Sequence, residues 1–334
     1  KIFDKLDKKY RRKVFHSSDP VRGGGITHLA IVIHNDSLAN LPDSLNHVPI
    51  IVKPKDCMPK DYIKNNIKNN VKSINKWLVK GRPHGETMII VSGGPSFLKY
   101  KDYLKKTNHK IMCVKHSLPM LLKEGIVPWA CNILDPRPIE GTSTHGIVRK
   151  DLFKDIPEEM IFFVSTMTDI SVVKHLQNKK ASIIGWNAYS DAIIERTNQQ
   201  NKVVIDEKLG VPENTVLLTG GTCAAMRAIS VGHTLGFRNF KLYGFDCSVP
   251  EPKDKDEKDD TGKNKYLFVT TNEKKFWTTG ELLAMAQDCE KLFERQDIDI
   301  HMEMYGEGTL VSELWKTKGR EQHPKYEDTL SNIS

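Results

Sequence analysis

No apolar run in the chain approaches the roughly 18–20 residues needed to cross a bilayer, so the sequence predicts no membrane span. No hydrophobic leader-like segment opens it either; it begins KIFDKLDKKYRRK, and a cytoplasmic location is the expectation. The six cysteines (Cys57, Cys113, Cys131, Cys223, Cys247, Cys289) are scattered without a C-x-x-C pair. They read as reduced thiols rather than a disulfide frame. The G-x-x-x-x-G-K-[ST] pattern is missing, which excludes an ordinary P-loop ATPase. There is no G-x-S-x-G nucleophile elbow. Neither H-E-x-x-H nor a Cys/His cluster is present, and no metal site is expected. The formal charge of +8 is not spread evenly: residues 1–22 hold eight basic side chains against three acidic ones. No aromatic-plus-basic RNA-binding motif follows this arm, so a nucleic-acid role is not expected.

What is present begins with "MIIVSGGPSFLKYKDYL" from Met88. The run Met88-Ile89-Ile90-Val91 is short, apolar and β-branched, which predicts a buried strand. Ser92-Gly93-Gly94 breaks it, and Pro95 suits the first position of a helix, where a missing N–H costs nothing. A strand passing through glycines into a helix start points free N–H groups at one place, an arrangement that favours a phosphate. An ordinary tight βα turn fits the same residues.

From Met88 a βα alternation takes over. Strands are predicted at 88–92, 110–115, 129–134, 160–165, 181–186, 215–220, 240–245 and 298–303. Helical patterns fall at 96–106, 117–124, 168–178, 188–198, 222–235 and 279–296. Apolar strands alternating with amphipathic helices predict a mainly parallel α/β sheet, doubly wound and Rossmann-like, with ligand at the strands' carboxyl ends. Before it, strands at 26–37 and 48–54 and a helix over 62–81, stopped by Gly81, predict a small N-terminal α/β cap. The expected division is therefore an arm and cap (1–84), a nucleotide-binding domain (85–316) and a polar tail (317–334). The charged stretch 249–266 reads as a surface loop or lid.

Four strand ends collect candidate residues. The first is the turn Gly93, Gly94, Pro95 and Ser96. The second is Lys115, His116 and Ser117, able to contact phosphate or substrate or to shuttle a proton, or simply a surface group at a helix start. The third is Asp135 in "NILDPRP", a ligand for a ribose hydroxyl, metal or substrate, or a turn aspartate. The fourth is Thr219-Gly220-Gly221-Thr222, a second glycine-lined helix entry. The strand after it ends at Asp246, a candidate base or a helix cap. Asp297-Ile298-Asp299 has the spacing of metal-dependent sugar transferases but precedes its strand, and chance accounts for it.

With both glycine segments in view, the chain resembles the superfamily of motility accessory factor (Maf) glycosyltransferases, 6-hydroxymethylpterin diphosphokinase-like proteins and, more distantly, bacterial sialyltransferases. The matching pieces are "IIVSGGPSF", "LLKEGIVPWACNILDPRP" and "TGGTCAAMRAISVGHTLGFRNFKLYGFDCS", between about residues 85 and 315. The resemblance implies a Rossmann-like domain binding a nucleotide or nucleotide sugar, with Gly93–Ser96 at phosphate and Thr219–Thr222 near nucleoside or sugar. Trp129 stands where the family commonly has aspartate. Sialyltransferases of this kind place a histidine base ahead of the last long helix; here Trp277, Thr278 and Thr279 occupy that region, the first two as candidate substrate contacts. The aspartate-rich Mg-ATP stretches of the pterin kinases are represented only by Asp135 and Asp246.

The expectation is thus a transferase moving a sugar, a CMP-activated nonulosonic acid in the first instance, to an unidentified acceptor. It needs no cofactor beyond its nucleotide-sugar substrate, and Asp246 or His116 is the base. The alternatives are a diphosphokinase using Mg and ATP on a pterin-like alcohol, and a nucleotide-binding module without catalysis.

Overall fold

The computed structural model describes the backbone of 14–17, 28–34 and 50–53, and residues 58–140, 147–196, 203–212, 215–253, 266–295, 297–319 and 324–327. The remainder of the basic arm, most of the 249–266 stretch and residues 320–323 and 328–334 of the tail lie outside the described residues. The chain divides into two compact units, one of residues 1–55 with 247–291, the other of 56–246 with 292–334.

In the first unit, β1 (Val14–Ser17), β2 (His28–His34) and β3 (Ile50–Lys53) form a three-stranded sheet, antiparallel then parallel.

The second unit opens with α1 (Lys60–Ser73). The predicted helix was longer, and it stops early because its apolar period continues in extended chain. Leu78 N–H donates to the Gly185 carbonyl at 2.8 Å, and Gly185 N–H to the Lys76 carbonyl at 2.8 Å. The strands that follow are β4 (His84–Val91), β5 (Lys110–Val114), β6 (Ala130–Ile133), β7 (Ile161–Ser165) and β8 (Ser182–Ala188). Between them lie α2 (Lys101–Lys106), α3 (Leu118–Lys123) and α4 (Ile170–Asn178). The predicted helix at 188–198 is absent from the residues described there. Ile194–Arg196 instead forms β9, antiparallel to β10 (Val203–Ile205), because adjacent β-branched residues suit a hairpin better than a helix. After β11 (Leu217–Leu218), the small-residue helix α5 (Ala224–Thr234) leads into β12 (Phe237–Tyr243).

Sequence analysis missed a hairpin in the first unit, β13 (Tyr266–Thr271) with β14 (Lys274–Thr279), which precedes α6 (Gly280–Phe293). The chain re-enters the second unit to form β15 (His301–Met304) and α7 (Leu310–Lys318).

Eight strands of the second unit form one sheet in the order β11-β8-β7-β6-β5-β4-β12-β15, every neighbouring pair parallel. This is the Rossmann-like doubly wound α/β sheet that the alternation predicts. One face packs Ile89, Val91, Ile111, Cys131, Phe162 and Val164 against Leu118, Leu121, Val172 and Leu176 from α3 and α4. Each such side chain, fully buried, contributes about 1.5–3 kcal/mol. The other face carries α5, whose Gly232 meets Met88 and Phe240. Strand order reverses between β4 and β12, so the crevice where such sheets hold ligands opens at the ends of those two strands.

Candidate functional site

The glycine turn lies at that reversal point, and its donors are taken up from within the protein. Ser92 N–H donates to the Tyr243 carbonyl at 2.8 Å and Gly94 N–H to the Gly244 carbonyl at 2.9 Å, extending the β4–β12 ladder past its end. Pro95–Tyr100 then form a 3₁₀ turn before α2, so the helix expected at 96–106 is a shorter composite. Asp246, at the end of β12, reaches across the crevice to this turn. Its Oδ2 accepts from Ser96 N–H at 3.0 Å, and its Oδ1 accepts from the Ser96 hydroxyl. Burial raises the Asp246 pKa, and the Ser96 bonds oppose that shift. A Cβ on Gly94 would lie 2.4 Å from Asp246 Cγ, so glycine is required at 94 by the close approach of this carboxylate.

One strand further along, Lys115 and His116 follow β5, and Asp135 and Arg137 follow β6. Lys115 Nζ pairs with Asp135, both side chains buried. Arg137 grips the same carboxylate with both arms, Nε to Oδ1 at 2.9 Å and NH2 to Oδ2 at 2.6 Å, while its own N–H donates to Oδ1 at 3.0 Å. Burial alone would raise the pKa of Asp135, but the Arg137 bonds and the Lys115 and Arg137 charges hold it well below the usual carboxylate range. One anion thus organises two cations. His116 belongs to the same edge, its Cβ 3.5 Å from where a Cβ on Gly93 would stand. The residue is exposed. Desolvation, followed by the Lys115 charge, pushes its pKa down to about 4, so it is neutral at physiological pH. Ser117 is wholly buried, its hydroxyl bonded to the Val91 and Val114 carbonyls, where it braces the β4 and β5 ends.

The second glycine segment meets this edge through Asn132 of β6, whose Nδ2 donates to the Ala224 carbonyl at 2.8 Å, at the start of α5. Gly220 and Gly221 have φ of 122° and 76°, values that glycine adopts without strain. Arg227 holds the segment by donating to the carbonyls of Gly221 and Leu218, and Ser230 Oγ donates to Thr219 O at 2.6 Å.

Trp277 and Thr278 belong to the other unit. There Trp277 pairs edge-on with Phe268 at 5.5 Å, and the Thr278 hydroxyl donates to the Cys247 carbonyl at 2.8 Å. Trp129 lies at the amino-terminal edge of the sheet, opposite Lys115 and Asp135, in a groove of about 370 Å³ with Lys105, His109, Lys110 and Glu159. The two aspartates of the Asp297-Ile298-Asp299 stretch are engaged separately, Asp297 with Arg295 and Asp299 with His233 and Arg238. The described cysteines, all but Cys57, form no disulfide.

Arg137 was not among the sequence candidates. The Asp-Pro-Arg spacing was its signal, since a side chain two residues beyond a strand-end carboxylate can fold back on it. Among the described residues no helix is long and apolar enough to cross a membrane. No described group of three His, Cys, Asp or Glu side chains is arranged to hold a metal ion.

The fold defines a Rossmann-like α/β protein whose β5 and β6 carboxyl ends gather Lys115, Asp135 and Arg137. Its sequence matches the model of the 6-hydroxymethylpterin diphosphokinase MptE-like family over residues 61–252, more than half of its length, and the chain belongs to that family. It is similar in structure to the MAf glycosyltransferase from Magnetospirillum magneticum AMB-1, with a TM-score of 0.50 and 10% sequence identity. The alignment covers 86% of this chain and 44% of that one, so the chain spans less than half the length of this relative. At that identity the likeness is one of fold. No curated protein matches the chain.

Proposed function

We propose that the protein is a transferase acting on a nucleotide-activated donor, and that the donor is a CMP-linked sugar of the nonulosonic acid type. The observation that carries this is the trio of Lys115, Arg137 and accessible neutral His116 at the ends of β5 and β6. Two cations beside an uncharged imidazole suit a donor with one phosphate: the cations draw in the phosphate, and the imidazole can accept a proton. In the transfer, an acceptor hydroxyl oxygen bonds to the anomeric carbon and the bond from that carbon to the CMP oxygen breaks. CMP leaves with the bonding pair while the hydroxyl proton passes to His116. Of the two candidate bases, His116 is the one open to solvent; Asp246 is committed to Ser96 and holds the turn. The cations act by stabilising charge that grows on the leaving phosphate.

The family description favours a second reading, diphosphate transfer from ATP to a pterin-like alcohol. That chemistry requires Mg²⁺, and the residues here do not fit a resident ion. Both oxygens of Asp135 are bound by Lys115 and Arg137, and both of Asp246 by Ser96. An ion arriving with ATP would belong to the substrate.

The test is a calorimetric panel of CMP, UDP, GDP and ATP, each with and without Mg²⁺, on the wild type and Arg137→Ala. The expected result is metal-independent CMP binding, weakened tenfold or more in the variant. Binding of ATP only with Mg²⁺ would replace the first reading with the second, and no binding by any nucleotide would defeat both.

A further inference from the structure

The sequence placed α1 in a cap ahead of the nucleotide domain. In the structure it lies across the carboxyl ends of β6 and β7, with one row of polar side chains facing the loops there. Tyr62, Asn66 and Asn70 are spaced four apart, which puts them on one face of the helix. The Tyr62 hydroxyl donates to Asp169 Oδ2 at 2.5 Å. Asn66 Nδ2 donates to the Pro136 carbonyl at 3.3 Å and the Met167 carbonyl at 3.2 Å. Asn70 Nδ2 donates to the carbonyls of Thr166 at 2.9 Å and Thr168 at 2.5 Å. Both asparagines are buried, 2% and 0% exposed, although they stand in a run, "NNIKNN", that looks like a solvated surface.

These contacts converge on the segment that carries the cations. Pro136 lies between Asp135 and Arg137. Asp169 caps α4 by accepting from Ser171 N–H at 2.8 Å, and Asp169 N–H donates to the Asp135 carbonyl at 3.4 Å. The β6 loop is therefore held from two sides, directly by Asn66 and through Asp169 by Tyr62. Neighbouring Ile63 and Ile67 anchor the helix by packing with Ile193, Ile194 and Leu209. A surface helix needs no such row. The carboxamide nitrogens of both residues are spent on backbone carbonyls of the loops that follow β6 and β7, while Asn70 Oδ1 is buried without a partner.

We infer that α1 is the positioning element of the site: Tyr62, Asn66 and Asn70 fix the β6 and β7 loops so that Arg137 can fork Asp135 beside Lys115. The inference rests on the nucleotide-site reading for its functional meaning, but the geometry can be tested without a ligand. Arg137 Nε–H, bonded to Asp135, should give a slowly exchanging NMR resonance, identified by its loss in Arg137→Lys. Asn66→Ala and Asn70→Ala should shift or broaden that resonance and weaken CMP binding by tenfold or more. Asn65→Ala, an exposed asparagine on the same helix, should change neither. If an asparagine variant fails to fold, Tyr62→Phe keeps the ring, removes only the hydroxyl, and should still shift the resonance. An unmoved Arg137 resonance in the folded Asn66, Asn70 and Tyr62 variants overturns the inference. A moved resonance, with CMP binding indifferent to Arg137→Ala, would sustain the clamp and defeat the nucleotide reading instead.

Discussion

Gly94→Ala should lower stability by about 3 kcal/mol, combining an overpacking cost with loss of the carboxylate cap on the 3₁₀ turn. The added methyl would stand 2.4 Å from Asp246 Cγ and 2.7 Å from Asp246 Cβ and Oδ2, and Cβ cannot swing clear by a rotamer change. Asp246 would have to leave Ser96, abandoning both of its own bonds to the turn after β4. The cause is thus a single pair, which makes the effect separable. Asp246→Gly alone should cost about 1–2 kcal/mol as a lost cap, and in that background Gly94→Ala should cost much less than in the wild type. Urea denaturation of the four proteins supplies the comparison. Strict additivity would mean that the close approach to Asp246 is not what requires glycine at 94.

Asp135→Ala should cost about 3–5 kcal/mol, the usual penalty for removing one member of a buried ion pair. Lys115 and Arg137 would both lose the carboxylate that they share. The pH dependence has a definite sign. The folded-state pKa of Asp135 lies below its ordinary value near 3.9, so the folded protein releases this proton more readily than the unfolded chain. The stabilisation is complete above that ordinary value. It declines as pH falls below it and is gone only below the folded-state pKa. Denaturant midpoints of wild type and variant should therefore be far apart at pH 7 and closer at pH 3. A gap that stays constant with pH would show that the carboxylate charge is not its source.

The sheet was legible because its strands are short β-branched runs buried on both faces, such as MIIV at Met88 and IFFV at Ile161. Failures came where one period served two structures. Ile74, Trp77 and Leu78 continue the helical spacing of α1, yet lie in chain that bonds to the edge of β8. The hairpin at 266–279 was hidden because it lacks a period-two pattern: its threonines and lysines come in pairs on either side of Phe276-Trp277. The glycine turn, His116 and Asp135 stood out as candidates because strand ends in such sheets are where ligands sit. Their partners could not. Asp246 meets Ser96 from 150 residues away, and Asn66 and Asn70 bond to loops roughly 70 to 100 residues distant. Only the fold brings such pairs together.

The central claim is that a nucleotide phosphate binds beside His116, between the ends of β5 and β6. The most direct test is an NMR titration of the His116 imidazole from pH 3 to 8, without and with saturating CMP. In the free protein its pKa should lie near 4, held down by desolvation and the Lys115 charge. A bound phosphate adds negative charge at that position and favours the imidazolium, so CMP should raise the value by at least one unit. A His116 pKa that CMP leaves unchanged, while CMP is shown to be bound, would place the nucleotide elsewhere and contradict the claim.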